Sequence, residues 1–279
     1  MGITGQKSIK PLSVYYMGNS TTIACQSDQR FSYCTYTPED WTPETAHEYR
    51  LLVVVHGSDR AFQDTRQAFV SLAETLKLII LSPLFPSGIG NASDTDGYKY
   101  IEFQGIRFDH ILIDMIDETA RRYGVDTAKF SLFGFSGGAH FAHRFFYLHP
   151  ERLTALSIAA PGSVTLLNHP SQWWVGTSDI RSRFGKELNL NAMQSVRTQL
   201  LVGDQDLKNS LIIHAPNSPT WVEGANDAGN TRVERLHTLH ANWQEHGVDA
   251  EFTLLPDVGH TLAPLAKDAC RWLKSILSA

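Results

Sequence analysis

The segment 129–150, KFSLFGFSGGAHFAHRFFYLHP, constrains this chain more than any other. A β-type run, FSLF, leads into Gly134-Phe135-Ser136-Gly137-Gly138, and a helix-forming run, AHFAHRFFYLH, leaves it. A strand that turns directly into a helix at G-x-S-x-G has little choice of geometry. The serine is forced into a strained backbone conformation with its hydroxyl above the sheet, and the flanking glycines give the turn its room. The helix then aims the positive end of its dipole at the space around that hydroxyl. Ser136 is therefore expected to be a nucleophile, not one residue of a plain glycine-rich turn.

The rest of the chain fits such an elbow. Apolar β-type runs at 51–57, 77–83, 153–162, 198–206 and 250–256 alternate with segments of helical period at 64–76, 108–123, 231–247 and 262–277. This pattern predicts an α/β chain, a mostly parallel central sheet flanked by helices. Segments 13–17 and 31–36 read as an N-terminal antiparallel pair. There is no repeat and no linker-like stretch, so a single domain over 1–279 is expected. Three long irregular segments, 84–107, 163–196 and 207–230, follow strands and so leave the sheet edge where open α/β sheets bind ligands.

Composition removes several classes of function. Lys+Arg number 24 against 29 Asp+Glu, a net charge of −5, and no basic run occurs, so neither nucleic acid nor an anionic membrane is an expected partner. The 3 cysteines, Cys25, Cys34 and Cys270, are too scattered for a disulfide framework or a zinc site. No apolar run is long enough to span a bilayer. The N-terminal MGITGQKSIK lacks an apolar core, and Gln6 stands where myristoylation needs Ser or Thr. The sequons at Asn19 and Asn91 read as chance, and a cytoplasmic location is expected. Monomer and homodimer both stay open.

A serine hydroxyl needs a general base, itself oriented by a carboxylate. For this elbow the expected chain order is Ser, then Asp or Glu, then His. His260, in LLPDVGHT, falls between the last strand and the last helix, behind Gly259. Asp204 and Asp206, in LLVGDQD, both sit at a strand end. Acyl chemistry also needs backbone donors facing the oxyanion. Gly137 N–H is one candidate. Ser58 N–H, in His56-Gly57-Ser58-Asp59-Arg60 after the first buried strand, is the other, against the plainer reading of a helix-capping turn.

HGSDR at 56–60, GFSGG at 134–138, GDQD at 203–206 and VGHT at 258–261 stand in the order of the α/β-hydrolase fold enzymes, which the chain resembles over nearly its whole length. It looks most like the polyhydroxybutyrate-depolymerase-like and feruloyl-esterase-like esterases. The resemblance implies hydrolysis of a small carboxylic ester or lactone through an acyl-enzyme, without cofactor or metal. It favours Asp206 over Asp204 as the acid, leaving Asp204 a loop or capping residue, and it implies a small lid at about 163–197. An acyltransferase, an amidase or a C–C bond hydrolase would use the same residues, and a non-catalytic binding protein would keep only the fold.

Trp173-Trp174 falls in that lid, one indole expected to meet substrate and the other to pack inside. Tyr98, Tyr100 and Phe103 suggest an aromatic wall on the long loop. Arg60 is expected in a structural salt bridge rather than on a substrate carboxylate. His140, His143, His237 and His240 are expected to be packed rather than metal ligands.

Overall fold

The computed structural model describes residues 12–167 and 170–278, so the expectations for MGITGQKSIK and for residues 168 and 169 of the insertion lie outside the described residues. Its centre is a nine-stranded sheet. β1 (Gly18–Asn19), β2 (Ile23–Ala24) and β3 (Ser32–Thr37) form the antiparallel end. β4 (Arg50–Val55) and β5 (Leu78–Leu84) follow, β3 lying antiparallel to β5. A two-stranded hairpin, β6 (Glu102–Phe103) and β7 (Ile106–Arg107), stands apart on the long loop. β8 (Phe130–Phe135), β9 (Leu153–Ala159), β10 (Arg197–Gly203) and β11 (Ala250–Leu255) complete the sheet.

The order is β1-β3-β5-β4-β8-β9-β10-β11, parallel from β5 to β11. The chain starts its parallel strands at β4, winds one way to β5 and then the other way from β8, so strand order reverses beside β8. Ligands of open α/β sheets gather at the carboxyl ends of such a reversal, and Ser136 stands there. The central strands are apolar on both faces because helices cover both. β11 is paired on one side only and is largely part-exposed, and the C-terminal helix Leu262–Leu277 braces it through Trp272 Nε1, which donates to Glu251 Oε1 at 2.8 Å.

The described residues hold eight α-helices: α1 (Phe62–Gln67), α2 (Val70–Leu76), α3 (Phe108–Tyr123), α4 (Gly137–Leu148), α5 (Ile180–Phe184), α6 (Leu190–Gln194), α7 (Arg232–Glu245) and α8 (Leu262–Leu277), of which α5 and α6 fall in the 163–196 segment that was expected to be irregular. α3 ends where predicted, at Gly124 with φ 67°. Every residue of α4 is buried. Trp243 of α7 is fully buried against it, its Nε1 donating to Tyr147 Oη at 2.8 Å. Among the described residues no helix is long and apolar enough to cross a membrane.

Two local expectations fail. Residues 13–17 are not a strand: Val14–Tyr16 is a 3₁₀ turn whose Tyr15 amide donates to the side chain of Ser13, and Val14 and Tyr15 are 77% and 67% exposed. β1 and β2 take the pairing with β3 instead. The helix predicted over 64–76 breaks at Ala68-Phe69, where Phe69 turns into the core and meets Phe133 at 4.7 Å between ring centroids.

A buried network joins α3 to the end of α4. Asp109 accepts from His149 Nε2 at 2.8 Å and from Arg107 at 2.7 Å, and Lys186 Nζ donates to His149 Nδ1 at 3.0 Å. Burial works to raise the Asp109 carboxyl, but the bonds from His149 and Arg107 outweigh it and hold it at about 2. Asp109→Asn keeps the shape and removes the charge. It is expected to lower stability by about 1.5–3 kcal/mol in urea denaturation, with the circular dichroism of the folded protein unchanged.

Candidate active site

Ser136 has φ 52° and ψ −113°, the strained conformation expected of a strand–turn–helix elbow. Its amide donates to Ala159 O at 2.8 Å, tying the turn to β9. The flanking glycines are needed for close approach. A Cβ at Gly134 would lie 2.2 Å from Gly138 O, and one at Gly138 would lie 2.2 Å from Val55 O. The helix thus starts flush against β4 and lifts the serine hydroxyl clear of the sheet.

Three loops converge on that hydroxyl. His260 Nε2 lies 2.9 Å from Ser136 Oγ, and His260 Nδ1 lies 2.7 Å from Asp206 Oδ2. The loops carrying the acid and the imidazole pack main chain to main chain. Gln205 N–H donates to Val258 O at 2.9 Å, and a Cβ at Gly203 would sit 2.0 Å from that oxygen. Phe135 stacks on the imidazole at 4.9 Å and 26°, so the residue before the serine orients the ring beyond it. Asp206 is 1% exposed and the His260 side chain 29%. Among the described residues no hydrogen bond joins Asp204 to His260, and Asp204 Oδ1 is buried without a hydrogen-bond partner.

Several neighbours of this group belong to none of the four motifs. Arg232 Nη1 donates to Asp206 Oδ1 at 3.0 Å, opposite the oxygen facing His260. Gly137 opens α4 and so has no intrahelical partner for its N–H. A Cβ there would meet Tyr98 Oη at 2.2 Å, Lys99 Cε at 3.0 Å and Ser58 Oγ at 3.0 Å. The Ser58 hydroxyl therefore stands beside Gly137, under a cover of Tyr98 and Lys99 that no motif announced. Lys99 pairs with Asp96, and burial draws its ammonium down despite that pairing.

A cleft of about 640 Å³, within the usual range for ligand sites, lies beside this group. Tyr100, Phe103, Trp173, Trp174 and Thr220 line it, while Ser136 and His260 do not. The turn 97–100 bridges the two, with Gly97 and Tyr100 on the cleft and Tyr98 and Lys99 against Gly137. Both tryptophans line the cleft, where only one was expected to, because they occupy a turn and each indole N–H is held by a carbonyl. Trp173 Nε1 donates to Tyr100 O and Trp174 Nε1 to Thr220 O, both at 2.9 Å.

Arg60 makes no ion pair among the described residues. It donates to the carbonyls of Phe85, Ser58 and Thr95 and covers the Tyr98 ring, which replaces the expected salt bridge. His140 and His143 are buried and accept main-chain N–H groups of Gly162 and Thr165, pinning the start of the 163–196 segment to α4. Burial pushes both imidazoles well down. His237 is exposed rather than packed, stacking on Phe252, and His240 meets the same ring. Among the described residues no group of His, Cys, Asp and Glu has the arrangement to hold a metal ion.

No family model and no curated protein matches this chain. Solved structures do. Poly(aspartic acid) hydrolase-1 from Sphingomonas sp. KT-1 is similar at 19% identity and TM-score 0.68, over 86% of this chain and 92% of that one. A poly(3-hydroxybutyrate) depolymerase from Bordetella parapertussis is similar at 20% identity and TM-score 0.68, over 88% and 84%. A ferulic acid esterase is similar at 14% identity and TM-score 0.62, over 92% and 96%. The chain therefore has the α/β-hydrolase fold that these structures share, as its four motifs implied.

His56 shows what the first of those motifs does structurally. It is wholly buried; its Nδ1–H donates to Gly57 O at 2.6 Å and its Nε2 accepts from Phe85 N–H at 3.1 Å, joining the ends of β4 and β5. Burial lowers this imidazole to about 4. The unfolded chain therefore binds a proton that the folded protein does not. The contribution of His56 to stability is complete above about pH 6.5 and is lost as pH falls towards about 4. Urea midpoints measured across that window are expected to fall with pH, and His56→Ala is expected to be less stable at neutral pH with a shallower fall.

Proposed function

We propose that this protein is a serine hydrolase that cleaves a carboxylic ester or lactone of a small molecule through an acyl-enzyme intermediate. The observation that carries the reading is the unbroken chain Ser136 Oγ, His260 Nε2, His260 Nδ1, Asp206 Oδ2, with contacts of 2.9 and 2.7 Å, at the end of a strained elbow. Esterases among the proteins of similar fold are in keeping with it.

Ser136 Oγ attacks the carbonyl carbon while His260 Nε2 takes its proton, and Asp206 holds the imidazole in the tautomer that leaves Nε2 unprotonated. Negative charge develops on the carbonyl oxygen, which the N–H groups of Gly137 and Ser58 receive beside the positive end of α4. Collapse expels the alcohol, which takes its proton from His260. A water molecule, deprotonated by the same imidazole, attacks the acyl carbon, and that proton passes to Ser136 Oγ as the acyl–oxygen bond breaks and the acid is released. No step requires a metal or cofactor. The segment 163–197 acts as a lid, its tryptophans joining Tyr100 and Phe103 to receive the substrate.

A fluorophosphonate tests the nucleophile without a guess at substrate. One adduct on Ser136 is expected by intact mass and peptide mapping, absent in Ser136→Ala and in His260→Ala. Absence of an adduct in the folded protein, or an adduct on another residue, would refute the assignment. Because the second oxyanion donor is main chain, Ser58→Ala is expected to change the labelling rate by far less than the roughly 10²–10³-fold cost of losing a donor. Products formed with added alcohol and amine separate hydrolysis from acyl transfer.

A further inference from the structure

Arg232 occupies a position that suits a cation badly. It is the first residue of α7, directly after the N-cap Thr231, where the helix dipole favours acids. Its side chain does not escape to water, being 7% exposed. Nη1 reaches Asp206 Oδ1 at 3.0 Å and Lys208 O at 3.5 Å, while Nε is buried with no hydrogen-bond partner among the described residues. A buried cation at the wrong end of a helix, with one donor unmet, is destabilising unless something offsets it. Among the described residues Asp206 is the one carboxylate it pairs with.

The need is reciprocal. Asp206 is 1% exposed and faces an imidazole that must be neutral to act as a base. A buried carboxylate beside a neutral ring is an uncompensated charge. We infer that Arg232 is a positioning residue for Ser136, His260 and Asp206, an inference that rests on the reading just proposed. It clamps Oδ1, so that the carboxylate presents Oδ2 to His260 Nδ1, and it supplies the counter-charge while the imidazole is neutral. Phe135 fixes the plane of the ring from one face, and Arg232 fixes its partner from behind.

The test compares Arg232→Met, which keeps length and removes charge, with Arg232→Lys, which keeps charge. Each is made in the unsubstituted protein and beside Asp206→Asn. Readouts are melting temperature, the rate of fluorophosphonate labelling, kcat and KM for p-nitrophenyl acetate, and the low-field proton resonance of the His260 Nδ1–H···Asp206 bond. Arg232→Met is expected to fold, to lose up to about a hundredfold in kcat through misplacement of the base, and to hold KM within about twofold. Its low-field resonance is expected to move or vanish. Arg232→Lys restores most of kcat and the resonance. Beside Asp206→Asn, Arg232→Met adds less than about twofold, because the arginine acts through that carboxylate.

Wild-type kcat and resonance in Arg232→Met overturn the inference, as does an equal loss with and without Asp206. Should Arg232→Met not fold, Arg232→Gln against Arg232→Lys carries the same comparison, and equal kcat in the two overturns it. If the unsubstituted protein is not labelled on Ser136, the nucleophile reading fails first and takes this one with it. That result is distinct because it precedes any change at Arg232.

Discussion

Where α4 leaves β8, main chain lies directly on main chain. The hydrogens of Gly134 and Gly138 face the carbonyls of Gly138 and Val55 across distances that no side chain fits. That contact seats the helix flush on the sheet, and the seating accounts for much of the molecule's upper surface. A helix so placed is buried on every side, and the polar residues it carries must find partners inside. His140 and His143 take the amides of Gly162 and Thr165, and Arg144 takes Lys99 O, Ser163 Oγ and Thr165 Oγ1. Two of the three long segments that wall the cleft are thus fastened to the same helix that presents Ser136.

The buried arginines show how this is done without many carboxylates. Arg144 is fully buried with its guanidinium over Tyr100 at 4.9 Å and Trp174 at 5.3 Å, and burial draws it down to about 10. Arg235 donates to Gly229 O, Gly162 O and Asn226 Oδ1. Carbonyl dipoles and aromatic faces hold these cations, and the planar guanidinium suits both kinds of partner. Arg232 departs from this pattern by spending its charge on Asp206.

Much of this was legible in the sequence. The β-type run before Gly134 and the helical run after Ser136 implied the elbow, and Gly259 directly before His260 marked a turn between the last strand and the last helix. What stayed hidden depends on contacts between distant segments. Nothing local in Tyr98-Lys99 says that it covers Gly137, and Trp173-Trp174 reads as one ring meeting substrate and one packed inside until two carbonyls from other loops are known. Residues 13–17 misled because their apolar residues suit a strand, while no neighbouring strand buries them. Arg232 did leave a signal, a cation in the first turn of a helix, but only the fold reveals which carboxylate answers it.

The imidazole and the serine hang from strands of very different security. β8 is enclosed by β4 and β9, whereas β11, which leads to His260, is held by β10 on one side and by the Trp272–Glu251 contact on its outer face. Opening of a sheet begins at such margins, at a free energy well below that of global unfolding. Amides of β11 should therefore exchange with solvent sooner than those of β8. The molecule can lose the alignment of His260 with Ser136 while its centre remains folded, so the lifetime of the site is shorter than the lifetime of the fold.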